Sequence, residues 1–234
     1  MVVPIHPHRF GAGATVRETA LAGAAFRRIL QQHGIDFTAP WRSLAEAARA
    51  AEVPPPELLA ALNAAEVPVN ARRTDWERRG SRELAIFLRR RHHAPLAEEM
   101  RFLDALFRRA LVRNRTARAR RERLYEAFST LAAPLAAHRE REEIRLYPRL
   151  AAGDSGWPLV REIAALAEDH RRFRRETRRL RLLGSDLAEG RSDPALALLA
   201  GELAAFADAL EEHLFWEDCL LFPRAARIAR IALP

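Results

Sequence analysis

The chain has 234 residues, 49% hydrophobic and only 7% aromatic, enough for one well-buried core and a small second one. Its net charge is +8 and its isoelectric point near 11.1, yet every basic residue is arginine and the Arg doublets alternate with acidic residues. That is the pattern of an ion-paired, solvated helix face rather than a phosphate-binding patch, so nucleic acid is not an expected partner.

Cys219 is the only cysteine, which excludes an internal disulfide and a thiolate-rich metal site. No apolar run reaches the ~20 residues of a membrane span, and residues 1–10 lack a charged-then-apolar leader pattern. No membrane partner is expected, and the cytoplasm is the expected compartment. Ala, Leu, Arg and Glu dominate while β-branched residues are few, a mixture that favours an all-α fold.

In chain order, residues 1–14 read as an extension and residues 15–70 as a small helical domain. Thr15 with Glu18 forms the capping box of a helix running to Gln32, which His33-Gly34 ends. Ser43 with Glu46 opens a second helix towards Glu52, and Pro54 to Pro56 start a third to about Ala65. Residues 71–80 read as a polar linker. Residues 81–231 then hold four long helical segments, about Ser81 to Val112, Arg118 to Leu150, Pro158 to Leu183 and Pro194 to Ile231. They are broken at Asn114 to Thr116, Gly153 to Gly156 and Gly184 to Asp193. Four long helices with short connections make an up-down-up-down four-helix bundle.

Each long segment carries histidine on its apolar stripe. The last runs Leu203, Phe206, Leu210, His213, Glu217, Leu220, and the second Leu124, Phe128, Leu131, Leu135, His138, Glu142. Steps of three and four keep these residues on one core-facing side. The third stripe is Ile163, Leu166, His170, Phe173, Thr177, Leu180. In the first, Ile86, His93, Leu96, Met100, Leu103 and Phe107 share a face, with His92 on a poorer one. An internal repeat matches His138-x3-Glu142-x3-Leu146-Tyr147-Pro148-Arg149 to His213-x3-Glu217-x3-Leu221-Phe222-Pro223-Arg224.

A lone histidine on an apolar stripe is usually a hydrogen-bonded core residue. A buried ionised glutamate costs several kcal/mol, on the order of a desolvated charge, unless it is paired or metal-bound. Four mid-helix histidines with two glutamates one turn on therefore point to metal. The predicted ligands are His93, His138, Glu142, His170, His213 and Glu217, a donor set suited to two borderline ions with bridging carboxylates. The expected cofactor is two iron ions, an oxo-bridged di-iron pair, and manganese or zinc would suit the same ligands. Asp169, Glu140, Glu143 and Asp218 flank these positions as candidate partners for the imidazoles, although each reads more readily as solvated surface.

The H-x3-E pairs followed by Leu-Tyr/Phe-Pro, the Arg91-His92-His93 start and the Glu168-Asp169-His170 segment resemble the hemerythrin-like (HHE) domain. From about Thr15 to Ile228 the chain is similar to the di-iron iron-sulfur cluster repair family (YtfE/ScdA-type). Thr15-Val16, Phe26, His33-Gly34-Ile35-Asp36-Phe37 and Ser43-Leu44-x-Glu46-Ala47 match that family's small N-terminal domain. The resemblance puts the iron ligands on the same six residues, with His93 and His213 capping one iron and His138 and His170 the other. It implies binding of NO or O2, a stress-response role, and iron supply to a damaged iron-sulfur client protein. Two departures stand out. Thr38-Ala39 occupies the place of the family's cysteine pair, which removes any thiol step there. Pro134 replaces a carboxylate one turn before His138, where it is expected to open the helix locally.

Three functions follow: iron supply for cluster repair, turnover of NO, peroxide or O2 by a di-iron enzyme, and a non-catalytic O2 or NO carrier or sensor. The small N-terminal unit is expected to dock on the bundle or on a second copy in a homodimer.

Overall fold

The computed structural model describes residues 10–22, 24–37, 39–65, 79–113, 118–154, 157–188 and 194–231. Residues 71–78 of the expected linker, Thr38, the connection at Asn114 to Thr116, and residues 155–156 and 189–193 lie outside them. Contacts divide the chain into two compact units, Met1–Arg78 and Arg79–Pro234.

The first unit contains α1 (Val16–Ala22), α2 (Ala24–Gln32), α3 (Leu44–Ala50) and α4 (Pro55–Ala64). The stretch expected as one helix from Thr15 to Gln32 is thus described as two, on either side of residue 23. Both capping boxes form. The Thr15 hydroxyl accepts from the Glu18 N–H while the Glu18 carboxylate accepts from the Thr15 N–H, and Ser43 and Glu46 repeat the exchange. Thr15 and Ser43 also pair across an isolated antiparallel bridge, which sets the two helix starts side by side. Gly34 ends α2 at φ +67°, a left-handed turn that glycine makes without a Cβ penalty. Phe26, Leu30, Phe37, Leu44, Leu58 and Leu62 form this unit's core, and Phe10 meets Phe26 edge to face at 4.8 Å.

The second unit is the bundle. Its first helix comprises α5 (Ser81–Leu88), a wide turn at Arg89–His93 and α6 (Ala94–Arg113). Its second comprises α7 (Arg118–Arg141), a wide turn at Glu142–Leu146 and α8 (Tyr147–Ala151). The third is α9 (Trp157–Ala188). The fourth comprises α10 (Pro194–Trp216), a wide turn at Glu217–Leu221 and α11 (Phe222–Ile231). Packing closes a ring: α6 lies against α7 and α10, and α9 lies against the same two. Among the described residues no helix is long and apolar enough to cross a membrane.

In the wide turns, backbone N–H groups bond five residues back instead of four: Ala94 to Arg89, Tyr147 to Glu142 and Phe222 to Glu217. Each adds one residue and rotates the helix beyond it, as π-bulges do. This corrects the expected first stripe. Ile86 is 46% exposed, whereas Leu84, Ala85 and Leu88 are buried, because the turn places a five-residue step between Leu88 and His93. The other three stripes are buried as expected. Two further expectations, the break at Gly184 and the opening at Pro134, also differ. α9 continues past Gly184, since one glycine costs a helix only about 1 kcal/mol and Leu180 anchors the preceding turn in the core. α7 runs through Pro134 unbroken, held by buried Leu131 and Leu135 on either side.

The shifted phase is directly testable. Leu88→Ala should destabilise the protein by about 2–5 kcal/mol, while Ile86→Ala should stay within about 0.5 kcal/mol of wild type, as read from urea midpoints. Equal losses at both positions would refute the five-residue step.

Candidate metal centre

The side chains of His93, His138, Glu142, His170, His213 and Glu217 are fully buried and converge inside the bundle. They form two overlapping groups, His93, Glu142, His213, Glu217 and His138, Glu142, His170, Glu217, each offering ligand atoms within 4.8 Å of one another. Both glutamates are common to the two groups. They come from equivalent places in the sequence repeat, at the first residue of a wide turn in the second and fourth helices.

Carboxylates on neighbouring helices orient three of the imidazoles. His93 Nδ1 lies 2.9 Å from Glu143 Oε1, His138 Nδ1 3.2 Å from Asp169 Oδ2, and His170 Nδ1 2.8 Å from Asp218 Oδ1. All three acids are held below their usual pKa. The His93 hydrogen bond does this for Glu143 and the His138 bond for Asp169. In Asp218 burial pushes upward, but His170 and Arg174 outweigh it. An ionised carboxylate only accepts, so each Nδ1 carries a proton, and each Nε2 is left to face inward, with a lone pair whenever its imidazole is neutral and with a second proton when it is not. Of the four flanking acids read from the sequence as surface, Glu143, Asp169 and Asp218 therefore brace the site. Glu140 is exposed and does not reach it.

The interior is consequently crowded with acceptors. His138 and His170 bring their Nε2 atoms within 3.1 Å of each other. Glu142 Oε2 lies 3.4 Å from His93 Nε2, and Glu142 Oε1 3.3 Å from His138 Nε2. Glu217 Oε2 lies 3.4 Å from His170 Nε2 and 3.2 Å from His213 Nε2. Both Glu142 oxygens, Glu217 Oε2 and both His213 nitrogens lack a hydrogen-bond partner although buried. Facing lone pairs and unbonded carboxylate oxygens in a dry interior demand positive charge between them. The same field acts on protons. Burial alone would lower the pKa of His170, but Asp218 and Glu217 raise it to about 10, and Glu142, Glu143 and Glu217 likewise overcome burial at His93. Burial and Glu142 push the Glu217 carboxyl up, yet His213, His170 and His93 hold it at about 2. The donor set fits divalent cations: imidazole nitrogens, two shared carboxylates and no thiolate.

Residues 161–233 match the hemerythrin HHE cation binding domain. The match spans most of the third helix and the fourth, with His170, His213 and Glu217, and supports a hemerythrin-like bundle. His93, His138 and Glu142 lie outside the matched residues and join the cluster by geometry. No curated protein matches the chain.

Several side chains escaped sequence reasoning. Tyr147 closes the centre: its hydroxyl lies 2.7 Å from Glu217 Oε1 and 2.9 Å from His93 Nε2, and its ring stacks on His93 at 5.4 Å. The signal was the repeat itself, in which Tyr147 stands where Phe222 stands later. Phe222 stacks on His170 at 5.0 Å, without a hydroxyl. Arg174, grouped with the solvated arginine doublets, is buried, with Nη1 2.7 Å from Asp218 Oδ2 and Nε 3.4 Å from Glu211 Oε2. It stands one turn after His170, beside the inward stripe, where spacing alone does not separate a buried arginine from a solvated one. Arg141 bonds Asp169 in the same way. His92 is buried with its ring 6.0 Å from that of His213, and belongs to neither donor group.

Asp218→Ala leaves the buried Arg174 with one carboxylate fewer and frees His170 to rotate. Its expected cost is about 3 kcal/mol, measured by chemical denaturation of the metal-free protein. A loss below about 0.5 kcal/mol, the range of ordinary surface substitutions, would place Asp218 outside the packing of the site.

Proposed function

We propose that the bundle is a di-iron centre that binds a small diatomic ligand, O2 or NO, and that the protein serves iron-sulfur cluster repair under NO or oxidant stress by supplying iron. The observation that carries this reading is the pair of four-residue donor groups sharing Glu142 and Glu217. His93 and His213 would hold one ion, His138 and His170 the other, with both glutamates bridging. When bound, such an ion pair would supply reversible ligand binding and one-electron redox chemistry. The protein's own residues do the rest. Glu143, Asp169 and Asp218 fix the imidazole tautomers, the bundle core excludes bulk water, and the Tyr147 hydroxyl donates a hydrogen bond to Glu217. Burial and the nearby Glu217 hold the Tyr147 pKa well above the ordinary phenol value, so the hydroxyl stays protonated.

The repair role rests on the resemblance of residues 15–70 to the N-terminal domain of the repair family. Thr38-Ala39 limits it to iron supply without thiol chemistry. A second reading, turnover of NO, peroxide or O2, is favoured by the Tyr147 hydroxyl, a buried hydrogen-bond donor at the edge of the donor groups that can bond to a ligand as it is reduced, while the electrons come from an external reductant and the protons consumed come from solvent. Product formation that stays linear over many equivalents with a supplied reductant selects turnover. Stoichiometric iron release to a cluster-deficient acceptor selects repair.

Elemental analysis of protein produced with ample iron should find two ions per chain. Glu142→Ala and Glu217→Ala should lose both, His213→Ala should lose at least one, and all three should stay largely helical by circular dichroism. His93→Ala should lower occupancy more than His92→Ala. Two ions retained in both glutamate variants would overturn the assignment.

A further inference from the structure

We propose that Pro95, Pro148 and Pro223 are positioning residues of this centre, each holding open one of the wide turns that set the helix phase across it. The inference rests on the metal-centre reading above and adds to it a cause for the geometry. The wide turns end at His93, Leu146 and Leu221, and each is followed, two residues on, by a proline. A proline lacks the N–H that would bond the carbonyl four residues back, and its ring clashes with that carbonyl in a regular helix. The three carbonyls concerned belong to Arg91, Ile144 and Cys219, the middle residue of each wide turn. Widening the turn moves the carbonyl aside, and the residue before each proline then bonds five back.

The consequence is a buried five-residue step in three helices: Leu88 to His93, Glu142 to Tyr147, and Glu217 to Phe222. In a regular helix five residues advance the phase to about 140° from the starting face, which would carry Tyr147 and Phe222 off the site. The wide turn returns them to the inward face, where Tyr147 covers His93 and Phe222 covers His170. In the first helix the same step takes His93 inward while leaving Leu88 in the core. The third helix is the internal comparison. It contributes a single donor, His170, in regular phase with its stripe, and α9 has its only proline at its second residue. Pro134 is another. It sits inside α7 with no wide turn, so a proline alone does not widen a helix of this bundle. The widening occurs where the five-residue step serves the centre.

The test uses the full chain with Pro95→Ala, Pro148→Ala, Pro223→Ala and, as control, Pro134→Ala. Alanine raises helix propensity, so helicity should be kept or increased in all four. In the metal-free protein, NMR contacts between the rings of Tyr147 and His93 should be lost in Pro148→Ala, and those between Phe222 and His170 in Pro223→Ala. Both should persist in Pro134→Ala. Titration with cobalt(II) should show at least tenfold weaker binding and an altered visible spectrum in the first three variants, and wild-type behaviour in the control. Unchanged ring contacts and unchanged cobalt binding in the three variants would overturn the inference, as would equal losses in Pro134→Ala. Wild-type protein that takes up neither cobalt nor iron would instead sink the metal-centre reading, and the ring contacts would still decide the role of the prolines.

Discussion

The structure depends on a surplus of hydrogen-bond acceptors enclosed where water cannot reach. Two ionised glutamates and the inward lone pairs of imidazoles share the middle of the bundle, and Tyr147 brings a single hydroxyl proton to them. In water these groups would be solvated. Inside the bundle only cations satisfy them, whether protons or metal ions. Leucine at the same six places would continue the stripes and stabilise the core with no such demand, so the polar set is a functional concession. It is surrounded by Leu135, Leu166, Phe173, Leu210 and Leu220, all buried.

The second layer of charge explains how the imidazoles keep one orientation. Each of three Nδ1–H groups meets a carboxylate, and each carboxylate is in turn met by an arginine: Glu143 by Arg89, Asp169 by Arg141, Asp218 by Arg174. The excess of arginine in the composition is therefore not wholly a surface property. The Asp218–Arg174 pair is buried, while the Glu143 and Asp169 pairs reach solvent, so the brace on His170 is drier than those on His93 and His138. Tyr147 on His93 and Phe222 on His170 add to this difference. The two donor groups are related by an internal repeat but are not chemically equivalent.

Much of this was legible in the sequence. Stripes with steps of three and four identified the inward faces of the second, third and fourth bundle helices, because burial of apolar side chains imposes that period on a regular helix. The same stripes singled out all six converging residues, and the capping boxes at Thr15 and Ser43 were readable from spacing alone. The first helix was misjudged at Ile86 for a specific reason: the period assumes four-residue backbone bonding, and the wide turn at Arg89–His93 breaks it. Glu143, Asp169, Asp218 and Arg174 were underrated because a charged residue beside a ligand looks the same in sequence whether it faces water or a neighbouring helix.

By itself, then, the order of residues determined the helical class, the stripes, and which polar groups would be trapped on them, since these follow from local propensity and from the cost of leaving apolar surface in water. The tertiary structure alone decided which carboxylate braces which imidazole, and that Tyr147 reaches across to Glu217. Those relations join side chains tens of residues apart, and they exist only once four helices pack closely enough for distances near 3 Å to be set by the whole bundle.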